Sequence, residues 1–141
     1  MNALSGIGVK VVGGAGPAQT VGSVRAIAHE IETLLGRLIH NGEPGAIDLR
    51  SLPMSPEDYA GLRALLGEGE VSAVIDALGP TEVRETAVRG VWWVSHRNSE
   101  DDTLAELIEV THVPEILKAH PDDVEDGLEL LRARLAEHAQ T

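Results

Sequence analysis

Apolar residues in the first part of the chain recur with the period of an α-helix. From Thr20 they fall three or four positions apart and form one stripe, and the charged side chains lie away from it. The stripe consists of Val21, Val24, Ile27, Ala28, Ile31, Leu34, Leu35 and Leu38. Asn41-Gly42 is a helix-ending signal, and Pro44 follows closely. The pattern predicts an amphipathic helix over residues 20–41.

A second helix is predicted over residues 55–66, after a short extended piece at residues 47–49. Ser55 can cap this helix, and Pro56 suits its first position. The two acidic residues that follow complement the positive end of the helix dipole. Gly67 ends the helical pattern.

The middle of the chain alternates apolar and polar residues, which is the period of half-buried β-strands. Turn signals at Gly79-Pro80 and Arg89-Gly90 separate the alternating segments. Four strands are predicted, at about residues 71–78, 82–87, 91–97 and 104–110. Consecutive strands joined by short connections form an antiparallel meander, which can bury one face.

Helical spacing returns near the end of the chain, where Pro114 starts a helical turn and Pro121 opens a longer helix. The apolar positions of that helix are Val124, Leu128, Leu131 and Leu135. We predict an α+β two-layer sandwich, in which an antiparallel four-stranded meander is covered by helices. The covering helices are those at 20–41, 55–66 and 114–138. A single domain would occupy residues 20–141.

A glycine-rich stretch lies within residues 1–19. Gly13-Gly14-Ala15-Gly16 superficially suggests a dinucleotide-binding turn, in which glycines let the backbone approach a pyrophosphate. That motif would need a third glycine at position 19, which is Gln19, and no second strand with an acidic end follows at the required distance. We therefore favour a flexible or edge-strand amino-terminal arm.

Composition narrows the classes of function. The 141 residues include no cysteine, which excludes disulfides, thiolate metal sites and a cysteine nucleophile. The absence of cysteine also indicates that the protein is located in the cytoplasm. A formal net charge of −12 disfavours nucleic acid and anionic membranes as partners. The sequence also lacks an apolar run of membrane-spanning length and a secretory signal. We expect a cytoplasmic protein with neutral or basic protein partners.

Six histidines are the first candidates for chemistry, but none lies in a tight ligand motif. Glu109 and His112 have the Glu-x-x-His spacing of carboxylate-bridged metal sites, which need two such pairs on facing helices. Ser95 and His96 are neighbours on a strand and point to opposite faces. We therefore predict no catalytic residue, metal or cofactor. The alternative is a small metal-dependent or acid–base enzyme that uses Glu85, Glu109, His96 and His112.

Charged residues mark the second predicted strand. Glu82 and Arg84 share one of its faces, and Glu85 lies on the other. If Glu85 points towards the core, its carboxylate needs a partner such as an arginine. We favour the other interpretation, a solvated sheet face with charges at its edge.

Two of the chain's three aromatic residues, Trp92 and Trp93, are adjacent on the third predicted strand. Because strand neighbours point to opposite faces, at most one of them fills the core under the helices. The other would either anchor a partner protein or be covered by a loop or the amino-terminal arm. A homodimer that buries this tryptophan is a further alternative.

Several strings resemble, in order and spacing, the carboxy-terminal conserved domain of the HupH/HyaF hydrogenase expression and formation proteins. They lie at residues 42–53, 66–71, 84–86, 90–94, 108–110 and 113–117, within a similarity that runs from about residue 20 to 135. The resemblance implies an accessory or chaperone-like factor in nickel–iron hydrogenase maturation, which binds the iron–sulfur small subunit, or other maturation proteins, before assembly or export. It implies no catalytic residues. The predicted partner-binding residues are Glu68, Glu70, Arg84, Glu85, Trp92, Trp93, His96 and Glu109.

Overall fold

The computed structural model describes residues 17–76 and 79–139, which contain three α-helices and five β-strands. In chain order these are α1 (Pro17–Asn41), β1 (Gly45–Asp48), α2 (Pro56–Leu66), β2 (Ser72–Asp76), β3 (Pro80–Glu85), β4 (Val91–Arg97), β5 (Thr103–Val110) and α3 (Pro121–Ala139). Short 3-10 turns follow β1 and precede α3, at Leu49–Ser51 and Glu115–Leu117. Residues 1–16 of the predicted arm lie outside the described residues, and residues 17–19 belong to α1.

The five strands form one antiparallel sheet with the order β1-β5-β4-β3-β2. Strands β2 to β5 are the predicted meander, and the α+β class is confirmed. The predicted count of four strands is wrong, because the short extended piece before α2 pairs with β5 and adds an edge strand. Gly45 lies opposite Val110 in this pairing. A four-residue segment is too short to reveal a strand period, and its partner is about sixty residues away in sequence.

Helices α1 and α2 cover one side of the sheet, over β1, β5 and β4. The helix-side core consists of Ile27, Ile31, Leu34, Leu38, Leu49, Leu62, Leu66, Val91, Trp93, Ile108 and Val110. Each fully buried aliphatic side chain in it contributes about 1.5–3 kcal/mol to folding. The predicted α1 stripe supplies four members of this core, which confirms that helix and its orientation.

Helix α2 begins and ends where the sequence predicts. Ser55 Oγ accepts a hydrogen bond from the Asp58 backbone N–H at 3.1 Å, and the Asp58 carboxylate accepts one from the Ser55 N–H at 2.9 Å. This reciprocal capping box, with Pro56 at the first helical position, satisfies two N–H groups. Gly67 ends the helix with φ +69°, a conformation that side chains with a Cβ disfavour.

The opposite side of the sheet carries a smaller reverse-side core. Val83, Trp92 and Val94 are buried there against Ala73, Ile75, Leu107 and Leu117. Leu117 comes from the 3-10 turn before α3, so this turn packs on the reverse side of the sheet.

Helix α3 does not cover the sheet, and the prediction that residues 114–138 form a covering helix is wrong in this respect. The segment is divided into the 3-10 turn and α3, and every residue of α3 is exposed. Sequence periodicity predicted that α3 has an apolar face, but periodicity carries no information about which surface packs on that face. None of the described helices combines the length and the apolar character needed to cross a membrane.

Candidate functional site

A cleft of about 650 Å³ opens beside α2, where the helices leave the β3 and β2 part of the sheet uncovered. Its walls are Arg63, Ala64 and Gly67 from α2 and its end, and Trp93, Ser95 and Arg97 from β4. The rest of the lining comes from β3 and the residue after it, with Glu82, Arg84, Glu85 and Thr86, and from Glu68, Gly69, Val71 and Ser72. The cleft exists because α1 and α2 cover β1, β5 and β4 and leave the other two strands of the sheet uncovered on this side.

A hydrogen-bonded cluster around Glu106 supports the α2 side of the cleft. One carboxylate oxygen, Oε2, accepts hydrogen bonds from Trp93 Nε1 at 2.9 Å, from Ser95 Oγ at 3.2 Å and from Arg63 Nη2 at 3.2 Å. The Arg63 guanidinium also stacks over the Trp93 indole, 4.6 Å from the ring centroid. Because Glu106 is largely buried, this cluster fixes the positions of the indole and the guanidinium.

Two further arginines lie around Glu82 on the sheet floor. Arg84 and Arg97 approach the two oxygens of Glu82 at 3.9 and 3.8 Å. Arg97 also donates to Asp101 at 3.2 Å, and this hydrogen bond, with the charges of Asp101 and Glu82, raises the pKa of Arg97. Arg97 Nε is buried and has no hydrogen-bond partner among the described residues. The cleft therefore presents three guanidinium groups in a protein of net charge −12.

Glu85 is buried at one end of the cleft and has the arginine partner that a core-facing carboxylate requires. Its Oε1 accepts a hydrogen bond from the Glu70 backbone N–H at 3.2 Å, and its Oε2 lies 3.6 Å from Arg89 Nη1. Arg89 also donates to the Glu70 carboxylate at 3.0 Å. The favoured expectation of a solvated Glu85 is wrong, since this side chain is only 9% exposed.

The structure brings together some of the predicted partner-binding residues and separates others. Glu68, Arg84, Glu85 and Trp93 line the cleft, and Glu70 joins its rim through Arg89. The remaining three lie on the reverse side of the sheet and are Trp92, His96 and Glu109. The predicted set is therefore divided between two faces.

Neither tryptophan is exposed. Trp93 is 7% exposed in the helix-side core, and Trp92 is 5% exposed in the reverse-side core. The Trp92 indole N–H donates to the Thr111 carbonyl at 3.1 Å, and Leu117 packs against its cluster. The expectation of an exposed tryptophan anchor is wrong, and the alternative in which a loop covers the outward tryptophan is correct.

The four residues of the alternative enzyme do not converge in this cleft. Glu85 lines it, whereas His96 lies on the reverse side with its Nδ1 3.0 Å from Thr81 Oγ1. His112 is exposed in the loop after β5, and Glu109 is partly buried on β5. Within residues 17–76 and 79–139, no group of three or more His, Asp or Glu side chains is arranged to hold a metal ion.

Glu109 provides a pH-dependent contribution to stability. Burial raises the pKa of its carboxyl group, and the charge of His96 partly opposes that rise. When folding raises the pKa of an acid, the folded protein loses stability as the pH rises above the ordinary pKa of that acid, which is 4.5 for this carboxyl group. Glu109→Gln should therefore be more stable than the parent at pH 7, and this difference should vanish below pH 4.5.

This prediction can be tested by urea unfolding of both proteins between about pH 4 and 7.5. Glu100→Gln is the matched control, because it makes the same substitution at an exposed turn position. If the stability of Glu109→Gln relative to the parent does not increase with pH, burial of the Glu109 carboxyl group does not have the predicted effect.

The site residues predicted from the sequence did not include Arg63, Ser95, Arg97 and Glu106. One signal could have found Glu106: a buried tryptophan N–H needs an acceptor, and acceptors on a sheet come from the same face of a neighbouring strand. Ser95 lies directly opposite Glu106, so correct register would have placed the carboxylate beside both side chains. Arg63 gave no such signal, because an arginine on the polar side of a helix is ordinarily solvated.

Comparison with known proteins places the chain among hydrogenase-related sequences. Residues 21–138 match the family described as HupH hydrogenase expression protein, C-terminal conserved region. The chain is 38% identical over 89 residues to the hydrogenase expression/formation protein HoxQ of Azotobacter vinelandii, which covers 63% of this chain and 31% of that protein. It is 33% identical over 131 residues to the hydrogenase expression/formation protein HupH of Rhizobium leguminosarum bv. viciae, covering 92% and 46% of the two chains.

A solved structure is also similar to this one. The hydrogenase expression protein HupH from Thiobacillus denitrificans aligns with a TM-score of 0.79 at 40% sequence identity, covering 82% of this chain and 97% of that chain. The chain spans about a third of the length of HoxQ and about half of the length of the Rhizobium HupH protein.

Proposed function

Because this chain belongs to the family of HupH hydrogenase expression proteins, and matches their C-terminal conserved region, we propose that it is a non-enzymatic accessory factor in hydrogenase maturation. Its proposed client is the iron–sulfur small subunit of a nickel–iron hydrogenase, bound in the cytoplasm before assembly or export. The proposed docking surface is the cleft beside α2.

One observation carries this proposal: the cleft is an open surface with exposed guanidinium groups, and these groups contact side chains of the sheet beneath them. The side chains of Arg63 and Arg84 are 61% and 54% exposed, so both can contact a partner. Arg63 is fixed by Trp93 and Glu106, which reduces the conformational entropy that it would lose on binding. Arginines on a rigid apolar support are typical of protein recognition sites.

The hydrogen bonding of the cleft also favours binding over catalysis. Ser95 Oγ donates a hydrogen bond to the Glu106 oxygen that also accepts from Trp93 and Arg63. One oxygen, Glu106 Oε2, thus serves all three donors, and the cluster holds the indole, the hydroxyl and the guanidinium in fixed positions. This use of the three groups is typical of a rigid support for a binding surface.

Charge would select the client segment. The acidic surface repels most acidic proteins, whereas the arginines of the cleft attract carboxylates at one place. A client segment that combines an acidic residue with otherwise neutral or basic surroundings suits both features. Of the residues predicted from the sequence, Glu68, Glu70, Arg84, Glu85 and Trp93 belong to this proposed surface, and the reverse-side residues do not.

Reversing the charge of Arg84 should weaken client binding about tenfold, which corresponds to about 1.4 kcal/mol. The measurement is co-purification and titration of the small-subunit precursor with the parent, with Arg84→Glu and with Arg37→Glu. Arg37 is an exposed arginine of α1 outside the cleft, so the control changes the net charge equally. The loss for Arg84→Glu should shrink as salt is raised, because exposed charges are screened.

Two results would count against the proposal. Equal binding by Arg84→Glu and Arg37→Glu would remove the cleft as the docking surface. Failure of the parent to bind the small subunit, together with normal hydrogenase maturation in cells that lack this protein, would remove the proposed function itself.

A further inference from the structure

Helix α3 carries a continuous apolar stripe that the described part of the chain, residues 17–76 and 79–139, leaves about half exposed. Val124, Leu128, Leu131 and Leu135 are 57%, 49%, 56% and 58% exposed. Helices of this length obtain most of their stability from packing an amphipathic face, and a lone helix is marginal in water. Gly127 lowers the stability of a lone helix further, by about 1 kcal/mol relative to alanine. A stable α3 therefore requires a partner for its apolar stripe.

The spacing of the stripe identifies the kind of partner. The four residues are separated by four, three and four positions, which is the alternation of a and d positions in a two-stranded coiled coil. The 19 residues of α3 extend over about 28 Å, enough for two and a half heptads. The stripe therefore fits another helix that lies alongside α3.

The charges of α3 select a second copy of the same helix in the antiparallel direction. Five of its six acidic residues lie in its first half and are Asp122, Asp123, Glu125, Asp126 and Glu129, and the sixth is Glu137. Its arginines, Arg132 and Arg134, lie in the second half. Two parallel copies would place the acidic halves together, whereas two antiparallel copies place each acidic half beside the basic half of the other.

We propose that α3 is a homodimerisation element, in which the α3 helices of two copies pair antiparallel through the stripe. In this register Leu128 of each copy packs against the second copy's Leu131, and Val124 packs against its Leu135. The e positions that flank the seam are Glu125 and Arg132, so each Glu125 faces the Arg132 of the second copy. The interface differs from the cleft beside α2, so each dimer would carry two clefts for clients.

Sedimentation velocity or light scattering of the full chain, from about 1 to 200 µM, tests the proposal. The parent should be a dimer that dissociates on dilution. Leu128→Asp/Leu131→Asp should remain monomeric across the range, with at least about a tenfold rise in the dissociation constant. Leu130→Asp is the matched control, because Leu130 is also on α3 and 52% exposed but lies off the stripe, and it should dimerise like the parent.

A charge swap tests the antiparallel direction. Glu125→Arg alone and Arg132→Glu alone should each weaken the dimer, because like charges then face each other, and the double variant should restore it. Far-UV circular dichroism of each variant checks that the α1, α2 and sheet signal is retained. A monomeric parent at 200 µM, equal dissociation by Leu130→Asp, or no recovery in the double swap would each overturn the proposal as stated.

Discussion

Replacing Trp93 with alanine is expected to lower the free energy of unfolding by about 3–5 kcal/mol, the range for deleting a buried aromatic side chain. Trp93 is 7% exposed and packs in the helix-side core with residues of α1, α2 and β5. Its removal leaves a cavity under α2 and deprives Glu106 of one of its donors. Because domains of this size have a total stability of about 5–15 kcal/mol, the loss is a large fraction of it.

Urea unfolding followed by far-UV circular dichroism measures this effect. Trp93→Phe keeps an aromatic ring in the core but lacks the indole N–H, so it should lose about 1–2 kcal/mol and remain folded. Ile39→Ala is the surface control, because Ile39 is an apolar side chain of α1 that is 75% exposed, and its change should stay within about 0.5 kcal/mol. A loss below about 1 kcal/mol for Trp93→Ala would show that Trp93 does not support the core in this way.

Replacing Glu106 with alanine is expected to cost about 2–4 kcal/mol. The change removes the acceptor of Trp93 Nε1, Ser95 Oγ and Arg63 Nη2 at once, and leaving buried donors without a partner costs about 1–3 kcal/mol for each group. The Glu106 side chain is 13% exposed, so water can replace only part of these bonds. Arg63 is far more exposed and can form hydrogen bonds with water instead. The total loss of stability is therefore smaller than the cost of three buried donors without partners.

Glu106→Gln keeps a carbonyl oxygen that can accept from the indole, so its loss should be smaller than that of Glu106→Ala. Glu100→Ala, at an exposed turn position, should change stability by less than about 0.5 kcal/mol. Combining Glu106→Ala with Ser95→Ala should give a smaller total loss than the sum of the single changes, because they share a hydrogen bond. Strict additivity of the two changes would argue against the shared cluster.

Trp93 and Glu106 connect the helix-side core to the cleft. Trp93 belongs to the helix-side core and also lines the cleft, and Glu106 connects it to Arg63 on α2. A substitution at either position therefore affects both stability and the proposed docking surface. Arg84 is a better probe of binding alone, since its nearest ionic partner is Glu82 at 3.9 Å on the same strand.

Local signals in the sequence were sufficient for most of the elements. The apolar stripe of α1, the capping box at Ser55 and Asp58, and the alternating segments from β2 to β5 each arise from residues close together in the chain. The order of the meander also followed, because short turns force consecutive strands to be neighbours. The resemblance to the HupH family was likewise readable from the sequence and is confirmed by the match over residues 21–138.

Contacts between distant residues could not be read in this way. The pairing of β1 with β5 joins a segment that precedes the meander to the last strand of the meander, and no turn between them fixes it. The covering of Trp92 depends on the 3-10 turn at Glu115–Leu117, which lies more than twenty residues later. The cleft depends on how far α1 and α2 extend across the sheet, and that extent is a property of packing.

The sequence by itself determined the α+β class, the positions of most helices and strands and the apolar stripe of α3. It could do so because helix and strand periods and helix caps are local properties of the chain. Only the tertiary structure decided that both tryptophans are buried, that Arg63, Trp93, Ser95 and Glu106 form one cluster, and that α3 stands apart from the sheet. Those outcomes depend on sheet register and on helix packing, which bring together residues far apart in the chain.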